Sequence, residues 1–178
     1  PEAEPGLGPF EDDEGLPEES QQSITVAREL AEETGGDLTV ATVGRPADEA
    51  IETLGTYGVA DLRAFDHESL TPYAPPAWAE SLSQLLDDLD PEAVIAPGTD
   101  RGHEVMAHLA ARRNLPLAAN CLEITPGDTY RLKRQRWGGS LFEHAELTAA
   151  TKLLTTTPHE VPNRPADEPA DPTVQPFA

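Results

Sequence analysis

The chain has 178 residues, of which 33 are acidic and 12 are basic, for a formal net charge of -21. A surface of this charge repels phosphate and anionic lipid headgroups, which argues against binding to nucleic acid and to anionic membrane surfaces. No apolar run approaches the roughly 18 residues of a spanning helix, so direct membrane insertion is not expected. Cys121 is the only cysteine, so an intrachain disulfide and a cysteine-based metal cluster are excluded, and a reducing cytoplasm is the expected location. Only two of the basic residues are lysines, and such a composition is typical of a high-salt (halophilic) cytoplasm, where salt screens self-repulsion.

The two ends of the chain differ in composition from its middle. Residues 1–19 hold eight acids, four prolines and three glycines, which predicts an acidic, flexible lead-in. Residues 158–178 hold six prolines and few large apolar side chains, which predicts a proline-rich linker. The pattern between them opens with a helix. Because α/β sheets usually open with a strand, we expect the first strand upstream of Pro1.

Residues 20–157 carry alternating helical and strand patterns. Helices are expected over residues 20–34, 46–54, 76–89 and 101–114, and strands over 38–44, 61–65 and 93–98. The last third changes to strands without intervening helices, at 117–124, 129–137, 141–147 and 152–157. This order predicts a three-layer αβα, Rossmann-like fold with a mostly parallel sheet and antiparallel strands added in the C-terminal third.

A turn between a predicted strand and a predicted helix is a candidate ligand site. In an open parallel sheet, ligands bind beyond the carboxyl ends of the strands, and helix N-termini favour anions. Asp100 is expected to cap the helix. The candidate anion or nucleotide residues are Gly98, Thr99, Arg101 and Gly102. A tight turn without a ligand explains the same residues equally well.

No pattern of catalytic or metal-ligating residues is found. The chain lacks a GxSxG nucleophile elbow, and Cys121 lies in an apolar strand pattern where cysteine acts as a small hydrophobe. His103 and His108 are five residues apart, which does not match the HExxH spacing of a zinc helix. We therefore predict no catalytic residue and no metal site.

A basic strand interrupts the acidic sequence. The side chains expected to dock a partner are Arg131, Lys133, Arg134, Arg136, Trp137, Gly138 and Gly139. An acidic partner domain or a phosphate-bearing cofactor would fit such a strand. The alternative is that these cations neutralise the acidic helices of the same chain.

Four blocks, in order, resemble the N-terminal domain of the electron-transfer flavoprotein alpha subunit. They are SITVARELAEETGGDLTVATVG (23–44), LGTYGVAD (54–61), PGTDRGHEVMAHLAARRNLPLAANC (97–121) and RQRWGGSLF (134–142). Asn120 stands where the family usually has aspartate, and Gln135 and Trp137 stand where it has proline and tyrosine.

The resemblance implies an electron carrier rather than a classical enzyme. Such a protein is a heterodimer with a beta subunit and shuttles electrons from flavin dehydrogenases to a quinone reductase or another acceptor. Its FAD is held mainly by a C-terminal domain that these 178 residues do not include, and residues 158–178 would lead to it. This chain would then be a scaffold and subunit-docking domain. The alternative is an adenine-nucleotide-binding α/β module of the universal-stress-protein type, with phosphates at Gly98–Glu104.

Overall fold

The computed structural model describes residues 15–177, so most of the predicted lead-in, residues 1–19, lies outside the described residues. The helices are α1 (Glu18–Thr34), α2 (Asp48–Thr56), α3 (Pro75–Leu89) and α4 (Asp100–Arg113), with a short 3-10 helix at Glu68–Leu70. The strands are β1 (Thr39–Val43), β2 (Asp61–Phe65), β3 (Ala93–Pro97), β4 (Leu117–Thr125), β5 (Tyr130–Arg136), β6 (Leu141–Leu147), β7 (Lys152–Thr156) and β8 (Thr173–Phe177).

The strands form two hydrogen-bonded groups. One has the order β1-β2-β8 and is parallel throughout. The other has the order β3-β7-β4-β5-β6, in which β7 pairs in parallel with β3 and β4, and β5 pairs antiparallel with β4 and β6. The predicted Rossmann-like α/β architecture with antiparallel strands late in the chain is confirmed.

Strand β7 shows how the three layers are built. Leu153 and Leu154 are consecutive and fully buried, and successive side chains of a strand point to opposite faces. Leu153 packs in a cluster with Met106 and Leu109 of α4. Leu154 packs in a different cluster with Leu30 of α1. The sheet is therefore covered by α4, together with α3, on one face and by α1 on the other.

The ends of α1 and α4 follow from local chemistry. Gly35 has a φ of 71° and donates its N–H to the carbonyl of Ala31, which ends α1 as the double glycine predicts. Asn114 ends α4 in the same way, with a φ of 52°. Both left-handed caps bring the chain into the strand that follows.

The end of the chain corrects the predicted proline-rich linker of residues 158–178. Thr173–Phe177 is a strand in register with β2, and the ring of Phe177 lies edge-on to that of Phe65 at 5.7 Å. Upstream of β8, Ala166 and Ala170 donate their N–H groups to the carbonyls of Thr56 and Gly55. The linker interpretation is wrong for these residues because the edge of β2 and the end of α2 supply hydrogen-bond partners that composition does not reveal.

Candidate functional site

The predicted anion turn lies where β3 ends and α4 begins. Thr99 has an extended backbone, and its side-chain oxygen accepts a hydrogen bond from the N–H of Gly102 at 3.1 Å. The N-cap is therefore Thr99, and the prediction that Asp100 caps this helix is wrong. Asp100 already has helical backbone geometry as the first residue of α4.

Close packing accounts for both glycines of this turn. A Cβ on Gly98 would lie 2.1 Å from the carbonyl oxygen of Thr156, and one on Gly102 would lie 2.0 Å from that of Pro97. The Arg101 guanidinium lies over the ring of Tyr73, 4.8 Å from its centroid. The glycines thus have a structural role, and an anion site at Gly98, Thr99, Arg101 and Gly102 stays a prediction.

The basic strand is β5, the middle strand of an antiparallel meander. Tyr130 and Leu132 are buried, whereas Arg131 is exposed, as the alternation of a half-buried strand requires. Arg136 pairs across the hairpin with Leu141, and Gln135 pairs with Phe142. The predicted docking residues are thereby divided between the two faces of β5 and its turn.

Ion pairs within the meander neutralise part of the basic strand. Lys133 donates to Glu123 on β4 at 2.7 Å, and this hydrogen bond holds the pKa of the Glu123 carboxyl below its usual value. Arg134 donates to Glu143 on β6 at 3.1 Å and to the carbonyl of Ala119 at 2.9 Å. The alternative interpretation expected these cations to neutralise acidic residues on the helices. The acids that they pair with, Glu123 and Glu143, lie instead on the neighbouring strands.

The turn between β5 and β6 places a large side chain in a strained conformation. Trp137 and Gly138 have φ values of 53° and 59°, and Gly139 donates its N–H to the carbonyl of Arg136 at 3.2 Å. These are features of a type I′ hairpin turn, whose first central position favours asparagine, aspartate or glycine. A non-glycine residue in the left-handed region costs about 1–2 kcal/mol, so tryptophan at this position is held against its conformational preference.

Three large apolar side chains are exposed around this turn. Trp137 is 83% exposed, Leu141 55% and Phe142 61%, and they are the exposed large hydrophobic residues of the described chain. Together with Arg136 they define the hairpin tip. Sequence reasoning missed Leu141 and Phe142 because two adjacent apolar residues at the start of a strand resemble core positions.

A cleft of about 530 Å³ adjoins the hairpin tip. Its lining residues are Asn120, Gln135, Arg136, Trp137, Gly138, Gly139, Thr157 and Pro158. The Thr157 hydroxyl is buried there and has no hydrogen-bond partner in the described structure. An unpaired buried hydroxyl costs about 1–3 kcal/mol of folding free energy.

The other reactive side chains have structural roles. Burial raises the pKa of the Cys121 thiol to about 12, and the nearby Arg134 lowers it by less. His103 shares a 3.0 Å hydrogen bond between its Nε2 and the Thr155 hydroxyl, which also accepts from the N–H of Asn120. Within residues 15–177 no three His, Cys, Asp or Glu side chains are grouped closely enough to hold a metal ion.

No helix within residues 15–177 is both long and apolar enough to cross a membrane.

The described residues thus form an α/β domain whose sheet is extended by an antiparallel meander with exposed apolar side chains at its turn. The family comparison is specific. A model of the Electron transfer flavoprotein domain matches residues 11–178, and the chain belongs to that family.

Relatives agree with this assignment at low identity. The chain is 30% identical over 101 residues to the Acryloyl-CoA reductase electron transfer subunit beta of Anaerotignum propionicum, covering 57% of this chain and 28% of that protein. It is 25% identical over 105 residues to the Electron transfer flavoprotein subunit alpha of Clostridium acetobutylicum, covering 59% and 31%. It is 26% identical over 120 residues to the Lactate dehydrogenase (NAD(+),ferredoxin) subunit LctC of Acetobacterium woodii, covering 66% and 29%.

The resemblance to alpha subunits of this family is therefore confirmed. The matched part of the chain spans about a third of the length of these curated relatives.

Proposed function

We propose that this chain is the subunit-docking domain of an electron-transfer flavoprotein of the alpha type, and that its hairpin tip contacts the beta subunit. The observation that carries the proposal is the exposure of Trp137, Leu141 and Phe142 at one hairpin tip of a strongly acidic chain. Tryptophan and arginine, here Trp137 and Arg136, are among the residue types enriched at the energetic centre of protein interfaces.

The strain at Trp137 supports the same proposal. Its left-handed backbone would be relaxed by glycine, so the indole is retained at a cost in folding stability. Strained residues of this kind concentrate at functional positions. The adjoining cleft is lined by Asn120 and Gln135, whose amide side chains can hydrogen-bond to a polar group inserted beside the indole.

The FAD of the complete protein is proposed to lie outside this chain. The cleft at the hairpin tip is lined by one cationic side chain, Arg136, and its guanidinium already lies 3.8 Å from Glu143. This is a poor match to the two phosphates of FAD. The chain is thus proposed to position its partner, while the flavin supplies the one-electron and two-electron chemistry and dehydrogenases and an acceptor exchange electrons with it.

The proposal extends to a reducing, high-salt cytoplasm. The lone buried Cys121 and the net charge of -21 support it. In such a compartment, concentrated salt screens charge pairs more than apolar contacts. The apolar hairpin tip would then contribute more to subunit association than the basic side chains of β5.

The test is subunit association of the natural full-length chain with its beta subunit, measured by titration calorimetry at the working salt concentration. Trp137→Gly should weaken association about tenfold or more while preserving the thermal midpoint, because glycine relaxes the left-handed turn. The purified wild-type complex should show flavin absorbance.

Asn114→Gly is the matched control. Asn114 is also an exposed non-glycine residue with a left-handed backbone, at the end of α4, so glycine relieves the same kind of strain away from the hairpin tip. It should leave association unchanged. An unchanged dissociation constant for Trp137→Gly would refute docking through the hairpin tip, and a colourless complex would refute the flavoprotein proposal.

A further inference from the structure

A groove divides the sheet between β1 and β3. β1 hydrogen-bonds to β2 and β3 to β7, and each of the two is the last strand of its hydrogen-bonded group in the described chain. The groove has a volume of about 750 Å³ and is lined by both strands, by α1 and by α3. It therefore presents two strand edges whose backbone groups lack a ladder partner on that side.

The groove has apolar walls on both faces, as the position of a buried strand in a sheet does. On one face lie Ile24, Ala27 and Leu30 of α1, and on the other lie Leu82 and Leu86 of α3. Unpaired backbone N–H and C=O groups beside apolar walls are stabilised by another strand, because only a strand supplies hydrogen bonds to both edges at once. A small ligand would satisfy few of these groups.

The flanking strands run in the same direction. Val43, Phe65 and Ala96, near the carboxyl ends of β1, β2 and β3, belong to one apolar cluster. A strand inserted between β1 and β3 would therefore extend a parallel sheet. Strands in such a sheet, covered on both faces, are almost entirely apolar.

Helix α1 has the position and direction of a crossover from that strand. Its N-terminal half is fixed at the carboxyl ends of β3 and β7, because Ser23 hydrogen-bonds to Thr156, which is in register with Pro97. Its C-terminal end leads into β1, on the other side of the groove. In a βαβ unit the chain enters the helix from the carboxyl end of the first strand, so the strand that precedes α1 belongs in the groove.

The outer edge strands of a second copy of the chain, β6 and β8, are poorly suited to insertion into the groove. Edge strand β6 carries Glu143, His144 and Glu146, and edge strand β8 contains Pro176, which cannot donate to a ladder. Residues 1–14 are excluded by their sequence, since no run longer than three of them is free of proline, aspartate and glutamate. Such a run is too short and too polar for a central strand.

We infer that the groove between β1 and β3 binds one parallel strand of about five apolar residues, supplied by the polypeptide that leads into residue 1. The inserted strand joins the two hydrogen-bonded groups into one continuous sheet.

The test is hydrogen exchange followed by mass spectrometry on the natural full-length chain. The backbone amides of β1 and β3 should exchange at least about tenfold more slowly than in the 178-residue chain, while protection of β4–β6 stays the same. The upstream sequence should contain five consecutive residues without charge or proline.

Two variants of the full-length chain separate strand insertion from general stabilisation. Ala27→Asp places a charge in the groove and should restore fast exchange in β1 and β3. Ala107→Asp places the same charge on an exposed position of α4 and should leave exchange slow. Equal exchange in the two chain lengths, an upstream sequence without an apolar run, or protection that depends on protein concentration through dimerisation would each overturn the inference.

Discussion

The hydroxyl groups of Ser23 and Thr156 lie 2.7 Å apart, although the two residues are separated by 133 positions in the chain. Both side chains are buried, and the Ser23 hydroxyl also donates to the carbonyl of Glu19 at 2.9 Å. A hydroxyl has one proton, so Thr156 is the donor and Ser23 the acceptor of the bond between them. This contact fixes the start of α1 to the end of β7.

The donor assignment predicts an asymmetry between two substitutions. Ser23→Ala leaves the Thr156 hydroxyl buried without an acceptor and should lower the free energy of unfolding by about 1–3 kcal/mol. Thr156→Val removes the donor but leaves Ser23 bonded to Glu19, so its cost should be smaller. In a double-mutant cycle by chemical denaturation, Ser23→Ala should cost little more once Thr156 is valine, and strictly additive effects would contradict the assignment.

Backbone proximity at the end of β3 predicts that Gly98 tolerates no side chain. The Cβ of alanine would lie 2.1 Å from the carbonyl oxygen of Thr156, so β7 or the turn must shift. Gly98→Ala should lower the free energy of unfolding by about 1–3 kcal/mol. Gly36→Ala is the control, because its Cβ would meet only the Thr34 hydroxyl at an ordinary 3.5 Å. Equal thermal midpoints for the two variants would show that the turn adjusts freely.

The elements that sequence predicts well are those whose signals are local. The apolar runs of β1 and β3, and the Gly35–Gly36 helix stop, carry their own physical reasons and are found as expected. Strand β8 could not be predicted, because TVQPF is short and contains a proline and is stabilised by the edge of β2. Local propensity does not contain that partner.

Some features of the candidate site could be predicted from the sequence, whereas others depend on tertiary structure. The unusual basic residues of β5 were visible in the sequence, but their pairing with Glu123 and Glu143 depends on strand register across a bulged sheet. The exposure of Leu141 and Phe142 depends on which elements pack against the start of β6, and the local sequence does not contain that information. The tertiary structure therefore makes the hairpin tip, rather than the charged side chains of β5, the strongest candidate for a docking surface.

Packing of the chain's end against α2 predicts an unusual response to a glycine substitution. Gly-to-Ala changes inside helices ordinarily stabilise by about 0.5–1 kcal/mol. At Gly55, however, the Cβ would lie 2.7 Å from the carbonyl oxygen of Ala170. Gly55→Ala should therefore destabilise, and hydrogen exchange should accelerate in Ala166–Phe177 while β4–β6 stays protected. Faster exchange throughout the domain, or none, would contradict this packing.

Burial of Cys121 predicts both its reactivity and a pH effect. The thiol is 1% exposed, and burial raises its pKa from 9.0 to about 12, so a folded chain at pH 8.5 should resist iodoacetamide and react only after unfolding.

Between pH 9 and 12 the folded state holds a proton on the Cys121 thiol that the unfolded state releases, so the free energy of unfolding falls as pH rises through this window. Cys121→Ala should show a shallower decline over the same window. The buried Tyr130, whose pKa is also raised by burial, is retained in both proteins, so the difference between the two curves isolates the thiol. Rapid alkylation of the folded chain, or identical slopes for the two proteins, would place Cys121 in a more accessible setting.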